Sequence, residues 1–177
     1  MRAPLALVIL FVAFLFKKMK IAIISDTHDN LTNLERFFKK IENLNIEILL
    51  HLGDVCFLPT LEFLVNHFKK KIYLVLGNGD NKKLSSFKKE NLFIFEKIGV
   101  LEIEGKKIAL THFPTIANDL AKEEKYDFIF YGHLHFPREK KKGKSLLINP
   151  GNLAGVFFPA SFAVLDLEKN KVFLEIL

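Results

Sequence analysis

Ile21-Ala22-Ile23-Ile24-Ser25-Asp26-Thr27-His28 starts as an apolar run and ends in a carboxylate and an imidazole. Two further stretches follow the same pattern. Residues 46–52 lead into Gly53-Asp54, and residues 72–76 lead into Gly77-Asn78-Gly79-Asp80. Each apolar run has the length and composition of a buried strand. Between the first two, Leu31, Leu34, Phe37, Phe38, Ile41 and Leu44 recur at helical spacing behind Asp29-Asn30, which offers N-cap chemistry. A second helix is expected from Pro59 to about residue 68, and a short Lys-rich one after Asn81. The order β-α-β-α-β-α predicts a parallel sheet with right-handed crossovers. Ligands of open α/β sheets bind at the carboxyl ends of the strands, so these polar groups are aimed at one site.

The second half reads differently. Residues 100–103, a Glu104-Gly105 turn and residues 107–111 predict a hairpin that ends at His112. Residues 116–124 predict a helix, and residues 128–131 a strand that ends at Gly132-His133-Leu134-His135. Residues 140–144 form a basic turn centred on Gly143, and Asn149-Pro150-Gly151-Asn152 is a loop signal. Residues 161–167 and 172–176 predict a last hairpin around Lys169-Asn170. Parallel strands followed by hairpins suggest two packed sheets with helices outside them, in one domain over residues 19–177.

A lone Asp-x-His is weak evidence, because such a pair is often only hydrogen-bonded, and a lone Gly-Asp is a common turn. Gly-His-x-His says more, since two imidazoles at i and i+2 reach a metal where the backbone bends. A regular strand would also put them on one face. Oxygen and imidazole ligands without thiolate suit Mn, Fe, Zn or Ni.

Taken in order, Asp-x-His, Gly-Asp, Gly-Asn-x-Asp, an isolated His, Gly-His-x-His and a late Asn-Pro-Gly loop resemble the calcineurin-like metallophosphoesterase superfamily. The likeness is to its small, cap-less bacterial and archaeal phosphodiesterase branch. It implies a four-layer α/β/β/α sandwich of the metallo-dependent phosphatase type with two divalent transition-metal ions. Mn is the first expectation, with Ni, Fe or Zn as alternatives. By the resemblance Asp26, His28 and His135 hold one ion, Asn78, His112 and His133 hold the other, and Asp54 bridges them. It also implies catalytic roles for Asp54, Asn78 and His112, and contact of Asn78 and Gly79 with substrate. Asp80 is expected to orient a ligand or a backbone group. The implied reaction is hydrolysis of a phosphodiester by water ionised between the ions. Many relatives carry His where Gly79 stands, so a leaving-group acid is missing here. Gly79 would also permit a positive φ and a close approach of substrate. Alternatives are a phosphomonoesterase, a nuclease, and a protein-binding scaffold of the same fold, as in the retromer subunit.

Composition narrows the remaining choices. The net charge of +6 is carried by lysine, with arginine only at Arg2, Arg36 and Arg138. That favours a small phosphorylated substrate and leaves nucleic acid as an option. Cys56 is the single cysteine, so no intrachain disulfide forms, and a cytoplasmic location fits. Cys56 is expected to be a small buried residue, with proximity to a metal as the alternative. Residues 1–18 form an apolar extension, too short for a standard spanning helix. They read as a mis-assigned start ahead of Met19, as a signal or weak membrane anchor, or as a packed helix. Membrane contact depends on that segment, and homo-oligomers remain open.

Overall fold

Alternate residues of the first strand serve two different cores. Ile21 and Ile23 face one apolar layer, while Ala22 and Ile24 face another. The period of two in a strand makes this possible, and burial on both faces explains why the run is apolar throughout. The computed structural model describes residues 19–177. The extension at residues 1–18, with the readings attached to it, lies outside the described residues.

Strands β1 (Lys20–Ile24), β2 (Ile46–His51), β3 (Lys71–Val75) and β4 (Leu92–Phe95) pair in parallel. Strands β10 (Ser161–Asp166) and β11 (Lys171–Ile176) extend that sheet antiparallel beyond β1, giving the order β11-β10-β1-β2-β3-β4. The second sheet contains β5 (Ile98–Ile103), β6 (Lys106–Thr111), β7 (Phe128–Tyr131), β8 (Pro137–Lys142) and β9 (Ser145–Pro150), ordered β5-β6-β7-β9-β8. Ile21, Ile23 and Leu50 of the first sheet pack with Ile108, Leu110, Phe128 and Phe130 of the second. Helices α1 (Leu31–Ile41) and α2 (Leu58–His67) cover the outer face of the first sheet through Leu34, Phe37, Leu61 and Leu64. Helix α3 (Pro114–Lys122) covers the second through Ala117, Leu120 and Ala121. The expected four layers are therefore present.

Local signals explain the helix starts. The Asn30 side chain accepts the Asn33 N–H at 3.0 Å and caps α1. Pro59 and Pro114 stand in the first turns of α2 and α3, where a missing N–H does no harm. The Lys-rich segment after Asn81 is a 3-10 turn, Lys82–Ser86, and not an α-helix. Strand β4 was not expected. Its run Leu92-Phe93-Ile94-Phe95 is as long and as apolar as the one read for β7 and went unread, and it pairs in parallel with β3. No helix among the described residues is long and apolar enough to cross a membrane.

Candidate metal centre

Five strands end at the same edge of the sandwich. Asp26 and His28 follow β1, Asp54 follows β2, Asn78 follows β3, His112 follows β6, and His133 and His135 follow β7. All seven expected ligands are therefore brought together. Five of them, Asp26, His28, Asp54, His133 and His135, hold φ between 39° and 72°. That left-handed backbone costs a non-glycine residue roughly 1–3 kcal/mol and turns successive side chains inward. His133 and His135 accordingly do not lie on one strand face, and they serve opposite sides of the site.

On one side, His135 Nε2 lies 3.3 Å from Asp26 Oδ1 and 3.3 Å from His28 Nε2. His28 Nε2 lies 3.8 Å from both Asp26 Oδ1 and Asp54 Oδ2. On the other side, His112 Nε2 lies 3.1 Å from Asn78 Oδ1, 3.3 Å from His133 Nδ1 and 3.6 Å from Asp54 Oδ2. His112 Nδ1 donates to the Leu52 carbonyl at 2.7 Å, so a neutral ring presents the lone pair of Nε2 to this cluster. Imidazole nitrogens, an amide oxygen and carboxylate oxygens thus converge in one cluster. Asp26 Oδ1 is buried and has no hydrogen-bond partner. A buried unpaired carboxylate oxygen is costly, and a cation is a partner that would satisfy it among these imidazole and carboxylate groups. The residues present fit divalent metal: Asp26, His28 and His135 form one compact acceptor set, and Asp26, Asp54 and His112 form another.

The supporting shell is built from backbone. One Asp80 oxygen accepts the N–H groups of Asp54 at 2.9 Å and Gly77 at 2.7 Å, while its other oxygen accepts that of Cys56 at 2.8 Å. Asp80 therefore orients backbone, as expected, and ties the loop after β2 to the loop after β3. Burial pushes its pKa upward, opposed by those three N–H groups. The Gly79 N–H donates to Asp54 Oδ1 at 2.7 Å. Gly79 does not use the positive φ open to glycine. A Cβ there would stand 3.1 Å from Asp54 Cγ, so closeness to the carboxylate, more than backbone freedom, explains the glycine. Gly53 needs both, with φ at +97° and a Cβ that would meet Gly77 N and His112 Nδ1 at 2.7 Å.

Three contributors went unread in the sequence. His51 is fully buried. Its Nδ1 accepts the Gly53 N–H at 3.2 Å, which leaves Nε2 to donate to Thr27 Oγ1 at 3.1 Å. Thr27 Oγ1 in turn donates to the Asp54 carbonyl at 3.4 Å. Burial pulls the His51 pKa down to about 3, so the ring stays neutral and structural. Asn149 donates to the Gly132 carbonyl at 2.6 Å, and Asn152 donates to the His135 carbonyl at 2.7 Å. The Asn-Pro-Gly-Asn loop signal marked their position but not this role. Cys56 is not buried as expected. It is partly exposed, with Sγ 3.4 Å from His28 Nδ1. Burial raises its pKa to about 12, so it remains a thiol.

Burial, reinforced by the nearby Asp54 carboxylate, raises the Asp26 pKa to about 6. A carboxyl whose folded pKa exceeds its unfolded value favours the native state most when protonated. Metal-free protein should therefore lose about 3 kcal/mol of this contribution as pH rises from about 3 to 7, of which about 2 kcal/mol falls between pH 4.5 and 7. Urea unfolding of chelator-treated protein at pH 4.5 and 7 measures it, and Asp26→Asn should flatten the dependence. An unchanged dependence in the variant would assign the titration to another group.

The architecture and this constellation define a metallophosphoesterase. Residues 19–170 match the family model described as the calcineurin-like phosphoesterase superfamily domain, and the chain belongs to that superfamily. It is 30% identical over 165 residues to "Phosphodiesterase MJ0936" of Methanocaldococcus jannaschii, covering 86% of this chain and 96% of that one. Among solved structures it is similar to an archaeal phosphodiesterase, with a TM-score of 0.82, 28% identity and coverage of 90% and 100% of the two chains. It also shares the fold of vacuolar protein sorting 29 from Cryptosporidium parvum, with a TM-score of 0.63, 22% identity and coverage of 90% and 97%.

Proposed function

We propose that this chain is a metal-dependent phosphodiesterase with a binuclear centre, loaded with Mn in the first instance. The observation that carries the reading is the place of Asp54. Its Oδ2 lies 3.8 Å from His28 Nε2 on one side and 3.6 Å from His112 Nε2 on the other, so this carboxylate stands between the two groups of imidazoles, with Asp26 common to both compact acceptor sets. Two divalent ions there would supply Lewis-acid polarisation of the phosphoryl group and a water ionised near neutral pH. The chain's own residues set the geometry. Gly79 N–H and Asp80 fix the Asp54 loop, the Leu52 carbonyl fixes the His112 ring, and Asn149 and Asn152 fix the loop that carries His133 and His135. With imidazoles and an amide as neutral ligands, the net positive charge at the site suits an anionic phosphoester. A cytoplasmic setting agrees with the single free thiol of Cys56.

Retention of all seven acceptors in bonding range favours catalysis over a scaffold role. Purified protein is expected to bind about two transition-metal ions per chain and to lose hydrolysis of bis(4-nitrophenyl) phosphate on chelation. Elemental analysis and a diester-against-monoester screen test this. Full activity after exhaustive chelation would end the reading, and a preference for monoesters would make the protein a phosphomonoesterase.

The absence of a side chain at Gly79 predicts a steep dependence of rate on leaving-group acidity. A positioned acid contributes about 10²–10⁴-fold, and that help should be missing for alkyl leaving groups. A leaving-group series on the unaltered enzyme measures it. A flat series with chemistry rate-limiting would mean that another residue supplies the proton.

A further inference from the structure

Several phenylalanines stand next in the chain to residues on the His28–His135 side of the centre. Phe57 follows Cys56, whose Sγ touches His28, and the Phe57 N–H donates to Asp29 Oδ1 at 3.3 Å. Phe136 follows His135, and its ring centroid lies 5.6 Å from that of Phe158. Phe57 is 57% exposed and Phe157 91%. Single exposed apolar side chains are ordinary, but a group of them beside a site for an anion is not a scatter. Residues 153–160 carry no charged or polar side chain, although the chain as a whole is 26% charged.

The segment that bears Phe157 and Phe158 is held firmly. Asn152 has no exposed surface. Its Oδ1 accepts the Val156 N–H at 2.8 Å, and its Nδ2 donates to the Val156 and His135 carbonyls at 3.3 and 2.7 Å. From the other side, Asn33 donates to the carbonyls of Leu153 and Ala154, and Asn30 donates to that of Ala154. Phe157 itself has φ at 64°, an uncommon backbone for a bulky residue. A buried amide thus locks an exposed aromatic segment, with a strained residue at its tip, to the carbonyl of His135.

Resting on the phosphodiesterase reading, we propose that Phe57, Phe157 and Phe158 form an apolar rim that receives an aromatic substituent of the diester. A phosphoryl group bound at metal held by Asp26, Asp54 and His135 would carry its ester groups toward residues that adjoin the ligand residues in the chain. The lack of charge along residues 153–160 disfavours a second phosphate there and selects a neutral planar group. Stacking against aromatic side chains supplies affinity without reading detailed chemistry.

Two diesters with the same leaving group isolate the effect: phenyl 4-nitrophenyl phosphate and methyl 4-nitrophenyl phosphate. The metal-loaded full chain should show a KM about 10-fold lower for the phenyl ester. Phe157→Ala and Phe57→Ala should each shrink that ratio to about threefold or less. Phe93→Ala, an exposed aromatic on β4, should leave it unchanged. Calorimetric binding of phenylphosphonate against methylphosphonate reads the same preference without turnover. Equal ratios in the unaltered chain and both rim variants overturn the proposal while diester hydrolysis survives. Failure to hydrolyse either diester removes the phosphodiesterase reading, and the phosphonate comparison then decides the rim by itself. If Phe157→Ala instead converts a dimer to a monomer with the ratio intact, the rim is a contact between copies and the proposal fails.

Discussion

Asp54→Ala is expected to reduce diester hydrolysis by about 10³-fold or more and to lower bound metal from about two ions per chain to one or fewer. Loss of a single preorganised electrostatic contact already costs about 10²–10³-fold, and Asp54 Oδ2 stands between His28 and His112 on the two sides of the centre. The change also leaves the Gly79 N–H without its acceptor. His67→Ala is the matched control. That imidazole is exposed on α2, stacked on Phe63 at 3.8 Å, and makes no contact with the site. Elemental analysis and initial rates on both variants measure the difference. Equal losses from the two changes would show that the ligand assignment is wrong.

Asp80→Ala should be the most damaging change at a residue that is not itself a ligand. It removes the acceptor for three backbone N–H groups, those of Asp54, Cys56 and Gly77. Partly buried donors left unpaired cost about 1–3 kcal/mol each, less whatever water recovers, so a loss of about 3 kcal/mol is expected. For a domain of this size that lowers Tm by roughly 10 °C. Metal affinity should fall about 10–100-fold, because the loop that carries Asp54 is no longer held against the loop that carries Asn78. Asp80→Asn keeps one oxygen acceptor and should fall between. Calorimetric unfolding and metal titration on the two variants measure this. A Tm unchanged in Asp80→Ala would show that the three bonds add nothing to the native state.

Much of this was legible in the residues. The apolar runs before Asp26, Asp54 and Asn78 specify strands locally, because burial on both faces demands continuous hydrophobicity. Helix α1 announces itself through the spacing from Leu34 to Ile41 and the Asn30 cap. The candidate ligand set came from the family resemblance, and its members stand at strand ends, where chain order translates directly into position.

Other features depend on contacts between distant segments. Strand β4 takes its place because β3 offers an edge to pair with, although its apolar run carried the same signal as the one read for β7. The sides taken by His133 and His135 follow from left-handed backbone at both, which no pattern of types encodes. His51 and Asn152 look like ordinary strand and loop residues, yet burial brings one to Thr27 and the other to His135. What the sequence by itself determined was the inventory of strands, caps and metal-seeking side chains, since each rests on neighbours within a few residues. Only the tertiary structure decided which oxygen goes unpaired, which carboxylate stands between the two groups of imidazoles, and which phenylalanines stay in water. Those outcomes depend on distances between segments far apart in the chain, 107 residues between His28 and His135 and 124 between Asn30 and Ala154, and packing alone sets such distances.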